Sequence, residues 1–495
     1  MLLGVKILII IPNFFSQIII LVFIINFGLS ISLIFIEKRD PIKTVAWLLA
    51  LNLLPIIGFF FYIVLGTRPR FKTNKRFDLK SQNDLLLIEE ILHNLSLQET
   101  IKNKPIGHDE QKTLNLINLN FGSIKSPYTN DNAVDIYTCG KQKFKQLLPD
   151  LKAAENHIHM VYFIYRNDNI GNEIMDILIE KAKKGLDVRL LIDAFGSILT
   201  PKKFFYPLIK AGGKVAFFAP TKLHYLPRLN YRQHRKIVII DGEIAYIGGM
   251  NIGDEYRGLK PKQHQWRDTH LRIMGSAVYM LQTRFIMDWN FSNVKETLSL
   301  NDAWYPPIKV PPGDLGMQVV SSGPDHPDEH IKYAYIKMIQ SADDRIYIQT
   351  PYFIPDAPFR EAIKTAAYAG IKICIMIPGE YDKYMVYKAS LSFVGDLIYY
   401  PNIYFYQYNG FLHSKMMVMD DCVATVGTTN IDVRSFALDF EVNSFIYSQD
   451  FTQRCCDIFD KDVQNAHLLT PLEFAQRPVR SKFMEAIARI LSPVF

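Results

Sequence analysis

The chain has 495 residues, of which 49% are hydrophobic and 21% are charged, and this balance excludes a largely disordered protein. Its 56 Lys and Arg residues against 49 Asp and Glu give a net charge of +7, which fits an anionic partner such as a lipid surface or a phosphate compound better than a dedicated nucleic-acid binder. The 5 cysteines, an odd number without a CxxC pair, argue against a disulfide framework or a zinc ribbon and favour a reducing compartment.

Two long apolar segments near the start of the chain predict a pair of transmembrane helices. Residues 14–36 and 45–65 contain no charged side chain, and each reaches the length of about 20 residues that a membrane-spanning helix needs. A cleaved signal peptide is the alternative, but its apolar part would be only about 7–15 residues long, and residues 37–41 offer no small-residue cleavage site. The sequence therefore predicts a helical hairpin within a membrane segment over residues 1–70.

The basic residues around the hairpin predict its orientation. The loop 37–44 between the two segments carries Lys38, Arg39 and Lys43. More basic residues lie on the other side, namely Lys6, Arg68, Arg70, Lys72, Lys75 and Arg76. Because Lys and Arg near membrane helices stay on the cytoplasmic side, the large C-terminal part is predicted to face the cytoplasm.

The next segment, residues 71–130, is polar and mixed, and it is predicted to be a juxtamembrane connector with some helix. Beyond it, short strands rich in β-branched residues alternate with amphipathic helices. This alternation is typical of an α/β protein whose strands are mostly buried.

An internal repeat divides the rest of the chain. Residues 158–164 resemble residues 346–354, and a second pair of similar strings lies at 184–192 and 369–377. The repeat predicts two homologous halves, with a boundary in the proline-rich stretch that begins at residue 305. The predicted halves are residues 131–304 and 305–495.

Each half contains one copy of a motif with clear chemical character. The first copy consists of His234, Lys236, Asp241 and Asn251. The second copy consists of His413, Lys415, Asp420 and Asn430, each 179 residues after its counterpart. A single HxKx4D string is a weak signal. Two copies with matched Gly-x-x-Asn tails and one common offset are strong evidence for a shared site.

The spacing of the motif has a physical explanation. Residues i and i+2 of a strand point to the same face, so each His emerges beside its Lys, while the apolar runs that follow continue as buried strand. The Gly-x-x-Asn segment fits a tight turn, and its Asn adds an amide donor. If the two halves face each other about a pseudo-twofold axis, the histidines, lysines and asparagines converge on a cationic cluster suited to a phosphate diester. The alternative, surface His-Lys pairs followed by turn aspartates, does not explain two matched copies.

The two motifs resemble the HKD motifs of the phospholipase D superfamily, and the likeness to bacterial cardiolipin synthases covers essentially the whole chain. The strings that carry it lie at residues 41–47, 54–58, 62–66, 248–256, 266–270, 410–415 and 483–495. The resemblance implies an α/β fold in which two phospholipase D-like halves form one pseudo-twofold catalytic unit, preceded by a two-helix transmembrane hairpin. It also implies a location in the bacterial inner membrane.

The activity implied by this resemblance is transfer of a phosphatidyl group from one phosphatidylglycerol to another, giving cardiolipin and glycerol through a phosphohistidine. By this analogy His234 is the nucleophile and His413 the acid/base, whereas the nearly symmetric sequence leaves both assignments open. The family likeness further implies catalytic roles for the motif lysines, phosphate binding by Asn251 and Asn430, and orientation of the histidines by Asp268 and Glu441. Asp241 and Asp420, at the far ends of their strands, are expected to support the site rather than carry protons.

We expect phosphatidylglycerol and an anionic lipid surface as partners, no nucleic acid, and neither a metal nor another cofactor. Three other functions stay open at this stage: a membrane-bound phospholipase D hydrolase, a membrane-tethered nuclease, and a non-catalytic phosphate-binding protein. At the C-terminus, Phe483, Ile487 and Ile490 fall on one side of a predicted helix. That pattern fits either a helix lying on the membrane or one packed on the catalytic part.

Overall fold

The computed structural model describes residues 2–36, 41–62, 108–218, 230–259, 266–292, 296–299, 301–308 and 310–492. The N-terminal helices belong to one compact unit and the α/β body to another. The three helices of the first unit are α1 (Leu2–Phe35), α2 (Pro41–Leu53) and α3 (Pro55–Phe61).

Of the two predicted membrane helices, the first is present at full length and the second is broken. Ser16–Phe35 of α1 is long and apolar enough to cross a membrane. The second segment leaves the helical region at Leu54, with φ −126° and ψ 65°, and restarts at Pro55 as α3. Proline explains the break, because it lacks the N–H that would bond to the carbonyl four residues earlier. Residues 63–65 of this predicted span lie outside the described residues.

A polar side chain of α1 compensates for the break. The amide Nδ2 of Asn26 donates hydrogen bonds to the carbonyl oxygens of Leu51, at 2.8 Å, and of Pro55, at 2.9 Å. Leu51 carries the carbonyl that a regular helix would have paired with residue 55. Since an unpaired carbonyl is costly in a hydrocarbon environment, Asn26 gives the broken helix a way to persist between packed helices.

The α/β body contains strands distributed over both halves of the chain. They are β1 (Thr129–Tyr137), β2 (His157–Tyr162), β3 (Asp187–Asp193), β4 (Lys214–Phe218), β5 (Arg232–Gln233), β6 (Ile237–Ile240), β7 (Ile244–Gly248), β8 (His270–Met274), β9 (Leu315–Ser322), β10 (Arg345–Gln349), β11 (Phe353–Ile354), β12 (Lys372–Pro378), β13 (Ile403–Tyr408), β14 (Met416–Met419), β15 (Val423–Gly427), β16 (Ile431–Asp432), β17 (Asp439–Tyr447) and β18 (Ala466–Leu469).

Most of these strands form one mixed sheet with a repeated internal order. Its path is β18-β13-β12-β10-β14-β15-β17-β9-β1-β8-β7-β6-β2-β3-β4, and β5 pairs with β17. Read outward from the central β9–β1 pair, one side runs β17, β15, β14, β10, β12, β13 and the other β8, β7, β6, β2, β3, β4. The two halves therefore have the same topology and meet at their first strands, β1 and β9, which pair antiparallel.

The helices of the body cover the faces of this sheet. They are α4 (His108–Ile124), α5 (Gly140–Ala153), α6 (Asn169–Lys183), α7 (Tyr206–Lys210), α8 (Ala277–Ser292), α9 (His330–Ser341), α10 (Ala357–Tyr368), α11 (Tyr384–Gly395), α12 (Val433–Ala437), α13 (Gln449–Val463), α14 (Pro471–Ala475) and α15 (Val479–Leu491). Covered strands such as β6 and β14 are buried at every position, which explains why they consist of continuous apolar residues.

Strand direction determines where the site forms. In the first half β2 is parallel to β3 and antiparallel to β6, so β6 begins at the edge where β2 and β3 end. In the second half β10, β12 and β14 repeat this arrangement. Each HxK string therefore lies at the carboxyl edge of its parallel strands.

Two helices near the ends of the α/β body can be compared with the predictions made for them from the sequence. Helix α4, in the segment predicted to be a connector, packs on the body, and Asn120 donates to Gln318 at 3.1 Å. The C-terminal helix α15 also packs there, with Ala488 fully buried and Arg489 2.7 Å from Asp396. Phe483 of α15 stays exposed.

Candidate active site

Both motif histidines lie where the two halves of the chain meet. The backbone N–H of His234 donates to the carbonyl of Phe440, at 3.0 Å, next to the β5–β17 pair. The N–H of His413 donates to the carbonyl of Arg267, at 2.6 Å. Each histidine is therefore fixed by backbone bonds to the opposite half before its own strand begins.

The acidic partners of the histidines also come from the opposite half. Nδ1 of His234 lies 2.7 Å from Oε1 of Glu441, and Nδ1 of His413 lies 2.7 Å from Oδ2 of Asp268. All four side chains are largely buried. With Nδ1 engaged by the acid, each imidazole has Nε2 available for chemistry. Both acids were predicted from the sequence, whereas the exchange of partners between the halves was not.

The motif lysines lie beside the histidines, as the i, i+2 spacing indicated. Nζ of Lys236 donates to the carbonyl of His234 at 2.6 Å, and Nζ of Lys415 donates to that of His413 at 2.5 Å. Both lysines are completely buried, and burial lowers the pKa of Lys236 to about 7 and that of Lys415 to about 8. A buried cation of this kind gains from a bound anion.

Burial and the nearby lysines also lower the pKa values of the two histidines. The pKa of His413 is lowered to about 4, mainly by burial and by Lys415, with Asp268 opposing the shift. The pKa of His234 is lowered well below its ordinary value by burial, Lys236 and Lys415. Burial raises the pKa of Glu441 well above its usual range. Both imidazoles are therefore neutral in the absence of substrate.

The two acids are held differently. The second oxygen of Glu441 accepts a hydrogen bond from Oγ1 of Thr428, at 2.5 Å. The first half has Gly249 at the position of Thr428, and a Cβ there would lie 2.1 Å from Oδ1 of Asp268. The pocket of Asp268 thus has no room for a side chain at residue 249, and the two halves of the site are not equivalent.

The motif asparagines hold the walls of the site together. Oδ1 of Asn251 accepts the N–H of Ile164, at 3.1 Å, and its Nδ2 donates to the hydroxyl of Tyr256, at 2.7 Å. Nδ2 of Asn430 donates to Oγ of Ser435, at 3.2 Å. Both amides therefore already have protein partners.

The motif aspartates lie at the opposite edge of the sheet from the histidines. The carboxylate of Asp241 accepts three backbone N–H bonds from residues 155–157, at 2.7 to 2.8 Å. The carboxylate of Asp420 accepts three from residues 343–345, at 2.9 to 3.0 Å. Both residues have positive φ, 56° and 49°, a conformation that Asp tolerates better than most residues. Each ties the end of its motif strand to the start of the neighbouring parallel strand.

Several aromatic and polar residues around the histidines were not assigned a role from sequence. Phe163 meets His234 edge-on, with ring centroids 5.0 Å apart. The ring centroids of Trp266 and Phe411 lie 5.5 and 5.8 Å from the ring centroid of His413. On the second-half side, Lys383 contributes a positive charge that lowers the pKa of His234. Phe163 directly follows strand β2, and this position was the one feature of the sequence that could have indicated its place beside the site.

Within the described ranges, no group of three or more His, Cys, Asp or Glu side chains is arranged to hold a metal ion. His157 and His159, interpreted from sequence as ordinary strand residues, are buried in β2 and both contact Gln282. His157 follows the loop that Asp241 caps, away from the catalytic edge.

Comparison with known proteins gives consistent similarities. A family model described as "Cardiolipin synthase, PLD-like domain" matches residues 147–260 and 335–463, and one described as "Phospholipase_D-nuclease N-terminal" matches residues 19–66. The chain is 44% identical over 477 residues to "Major cardiolipin synthase ClsA" of Bacillus subtilis (strain 168), covering 96% of this chain and 98% of that protein. It is 43% identical over 483 residues to "Cardiolipin synthase" of Oceanobacillus iheyensis, with 96% and 98% coverage.

A solved structure has a related fold. The phosphatidylserine synthase of Haemophilus influenzae Rd KW20 superposes with a TM-score of 0.60 at 16% identity, covering 78% of this chain and 98% of that one. At this level of identity the similarity concerns the fold alone.

Proposed function

This chain belongs to the bacterial cardiolipin synthases of the phospholipase D superfamily, and from this premise we propose that it transfers a phosphatidyl group between two phosphatidylglycerol molecules through a covalent histidine intermediate. The observation that carries the proposal is the pair of His–acid contacts between the halves, which leaves Nε2 of both histidines available, with His413 and Lys415 close enough to His234 to lower its pKa. Such a site can attack a phosphodiester from one histidine and protonate its leaving group from the other.

In the first step, Nε2 of His234 attacks the phosphorus of the donor lipid and a P–N bond forms. The P–O bond to the terminal glycerol breaks, and the leaving oxygen takes a proton from Nε2 of His413. In the second step, His413 removes the proton from the hydroxyl of a second phosphatidylglycerol, whose oxygen attacks the phosphorus. The P–N bond breaks, cardiolipin forms, and both imidazoles return to their starting states.

The lowered pKa of His234 is consistent with its role as the nucleophile, since a neutral imidazole carries the lone pair that a nucleophile needs. The pKa of His413 is about 4 without substrate. A bound phosphodiester adds negative charge beside His413 and raises that pKa, so the lipid itself favours the protonated acid.

Lys236 and Lys415 are proposed to offset the charge of the phosphodiester and of its transition state. Asn251 and Asn430 are proposed to bind phosphate oxygens with their amide groups. Their present hydrogen bonds also support a positioning contribution, because they fix the loop after each motif strand. Asp241 and Asp420 are proposed to contribute only by stabilising the strands that carry the site.

The membrane part is proposed to span the bilayer twice, through α1 and through the broken α2–α3 segment, with the catalytic body in the cytoplasm. The full-length apolar helix α1 and the Lys and Arg distribution support this arrangement. The proposed division of the chain is a membrane hairpin over 1–70, a connector over 71–130, and catalytic halves over 131–304 and 305–495. Labelling of engineered cysteines in intact cells tests it: a cysteine in loop 37–44 should react with an impermeant reagent from outside.

The activity is tested with purified full-length protein in micelles of phosphatidylglycerol containing EDTA, with products resolved by mass spectrometry. The proposal predicts cardiolipin and glycerol in equal amounts, and neither product from His234→Ala or His413→Ala. Phosphatidic acid as the main product would identify a hydrolase instead. Full activity in either variant would overturn the two-histidine mechanism.

A further inference from the structure

A short loop at the edge of the active site exposes aliphatic side chains. It follows β3 and spans residues 194–201, here called the rim loop. Ile198 is 62% exposed and Leu199 76% exposed at its tip, and Phe195 is half exposed. Two neighbouring aliphatic residues on a turn are costly to leave in water unless another apolar phase covers them.

Hydrogen bonds hold the backbone of the rim loop in the conformation that exposes these side chains. The carboxylate of Asp193 accepts the N–H groups of Phe195 and Gly196, at 2.9 and 2.8 Å. Ser197 accepts the N–H of Tyr165 at 3.0 Å and donates to the carbonyl of Phe163 at 3.1 Å. These bonds hold the base of the rim loop on both sides and fix it to the body.

The rim loop contacts the residues that surround the nucleophile proposed above. Phe163, which accepts the bond from Ser197, has its ring against His234. The guanidinium of Arg232, two residues before His234, lies 4.3 Å from the ring centroid of Phe195. The second oxygen of Asp193 accepts the N–H of Gln233, at 2.9 Å. The aliphatic tip therefore belongs to a loop whose base is attached to the residues next to His234.

Two lysine side chains follow the tip of the rim loop in the sequence. Lys202 and Lys203 are both exposed and begin the turn after the rim loop. Apolar side chains next to lysines are the combination that binds the interface of an anionic bilayer, with the aliphatic groups among acyl chains and the ammonium groups at lipid phosphates. The corresponding loop after β12 carries Tyr381 and Lys383 instead, so the aliphatic tip is not a consequence of the repeat.

We propose that the rim loop inserts Ile198 and Leu199 into the surface of a bilayer of anionic phospholipid, while Lys202 and Lys203 bind its phosphate groups. This contact holds the mouth of the site against the membrane, so that a lipid headgroup enters beside Phe195 without leaving the bilayer. The proposal rests on the cardiolipin synthase function in one respect, because a lipid substrate explains why a catalytic mouth should face a membrane.

Insertion is tested by a fluorescence measurement that does not depend on catalysis. Leu199→Trp and the parent protein are reconstituted in phosphatidylglycerol vesicles with or without bromine on the acyl chains. Tyr368→Trp is the matched control, since Tyr368 is 70% exposed and ends α10 at the opposite edge of the sheet. After subtraction of the parent signal, the emission of the indole introduced at position 199 should be blue-shifted and quenched by brominated lipid. The emission of the indole introduced at position 368 should show neither change, and equal behaviour of the two variants would overturn the proposal.

The role in substrate delivery is tested with the double variant Ile198→Ser, Leu199→Ser. Its activity on phosphatidylglycerol vesicles should fall about tenfold or more, and its activity on dispersed short-chain phosphatidylglycerol should stay within about twofold of the parent. Loss of activity on both substrates would show that the loop shapes the site, and no loss on either would show that it is dispensable; each result contradicts the proposal. An inactive parent would instead count against the proposed function, while the quenching result would still stand.

Discussion

At the scale of single residues, the two motif histidines belong to matching motifs but have different surroundings. Glu441 is one methylene longer than Asp268 and takes a hydroxyl donor from Thr428, whereas Gly249 leaves Asp268 without one. Burial and the nearby lysines lower the pKa of both histidines. A ping-pong transfer needs one neutral and one protonated histidine, so the difference between their surroundings has a chemical use.

The contact between His234 and Glu441 can be tested with Glu441→Gln. The amide keeps the length of the side chain but removes the carboxylate that orients the imidazole and stabilises its charge during transfer. We expect kcat to fall about 100-fold, with the KM for phosphatidylglycerol changed by less than about threefold. Glu485→Gln, on the packed face of α15, is the matched control and should keep parental kcat. Parental kcat in Glu441→Gln would contradict the proposed orienting role.

The lowered lysine pKa values predict how activity depends on pH. Lys236 and Lys415 have pKa values of about 7 and about 8 without substrate. Both lysines must be protonated to attract the phosphodiester, so kcat/KM should fall as the pH rises through this range. No loss of kcat/KM toward acid pH is expected near pH 6.5, because the lowered pKa of His234 keeps it neutral there, and the need for a protonated His413 adds to the fall as the pH rises. A pH profile in micelles of constant composition measures both limbs, and a kcat/KM that increases steadily from about pH 7 to about pH 9 would contradict the assignment.

At the scale of elements, the motif aspartates tie strands together. Each carboxylate holds three backbone N–H groups at the start of β2 or β10. Asp241→Ala should therefore lower the free energy of unfolding by about 3 kcal/mol or more, since several hydrogen bonds to a charged acceptor are lost. Asp457→Ala, at an exposed position of α13, should change it by less than about 0.5 kcal/mol. Denaturant unfolding in detergent measures both, and equal stability of the two variants would refute the structural role.

The break between α2 and α3 gives a second prediction at this scale. Asn26→Leu removes the donor to the carbonyls of Leu51 and Pro55, so the amides around the break should exchange hydrogen for deuterium faster. Pro55→Ala restores an N–H for the Leu51 carbonyl, and the double variant should exchange more slowly than Asn26→Leu alone. Exchange mass spectrometry of peptides within residues 41–62 follows this directly. Identical exchange in all variants would mean that Asn26 does not stabilise the break.

At the scale of the whole molecule, the site exists because two equivalent half-sheets are joined at β1 and β9. This joining brings Glu441 to His234 and Asp268 to His413, although the partners are far apart in sequence. The α/β class, the repeat and the family were predictable, because motif spacing and apolar strands are local features. The exchange of acids between the halves was not, since it depends on how one half-sheet is placed against the other.

The other differences from the sequence-based expectations have equally physical causes. Hydropathy over residues 45–65 does not register helix breaks, so the prediction of one continuous helix did not use the helix-breaking effect of Pro55. The exposed tip at Ile198 and Leu199 is an ordinary apolar dipeptide in sequence and becomes notable only because the base of its loop is attached next to His234. The proposed domain boundaries stay predictions.

In the proposed mechanism His234 carries the phosphatidyl group while His413 moves the proton. Purified protein is mixed briefly with phosphatidylglycerol, quenched in alkali, digested, and searched by mass spectrometry for a phosphatidyl adduct on histidine peptides, or for the glycerophospho adduct that remains after alkaline loss of the acyl chains. We expect the adduct on the peptide containing His234, with none on the peptide containing His413. An adduct on His413, or equal adducts on both, would contradict it.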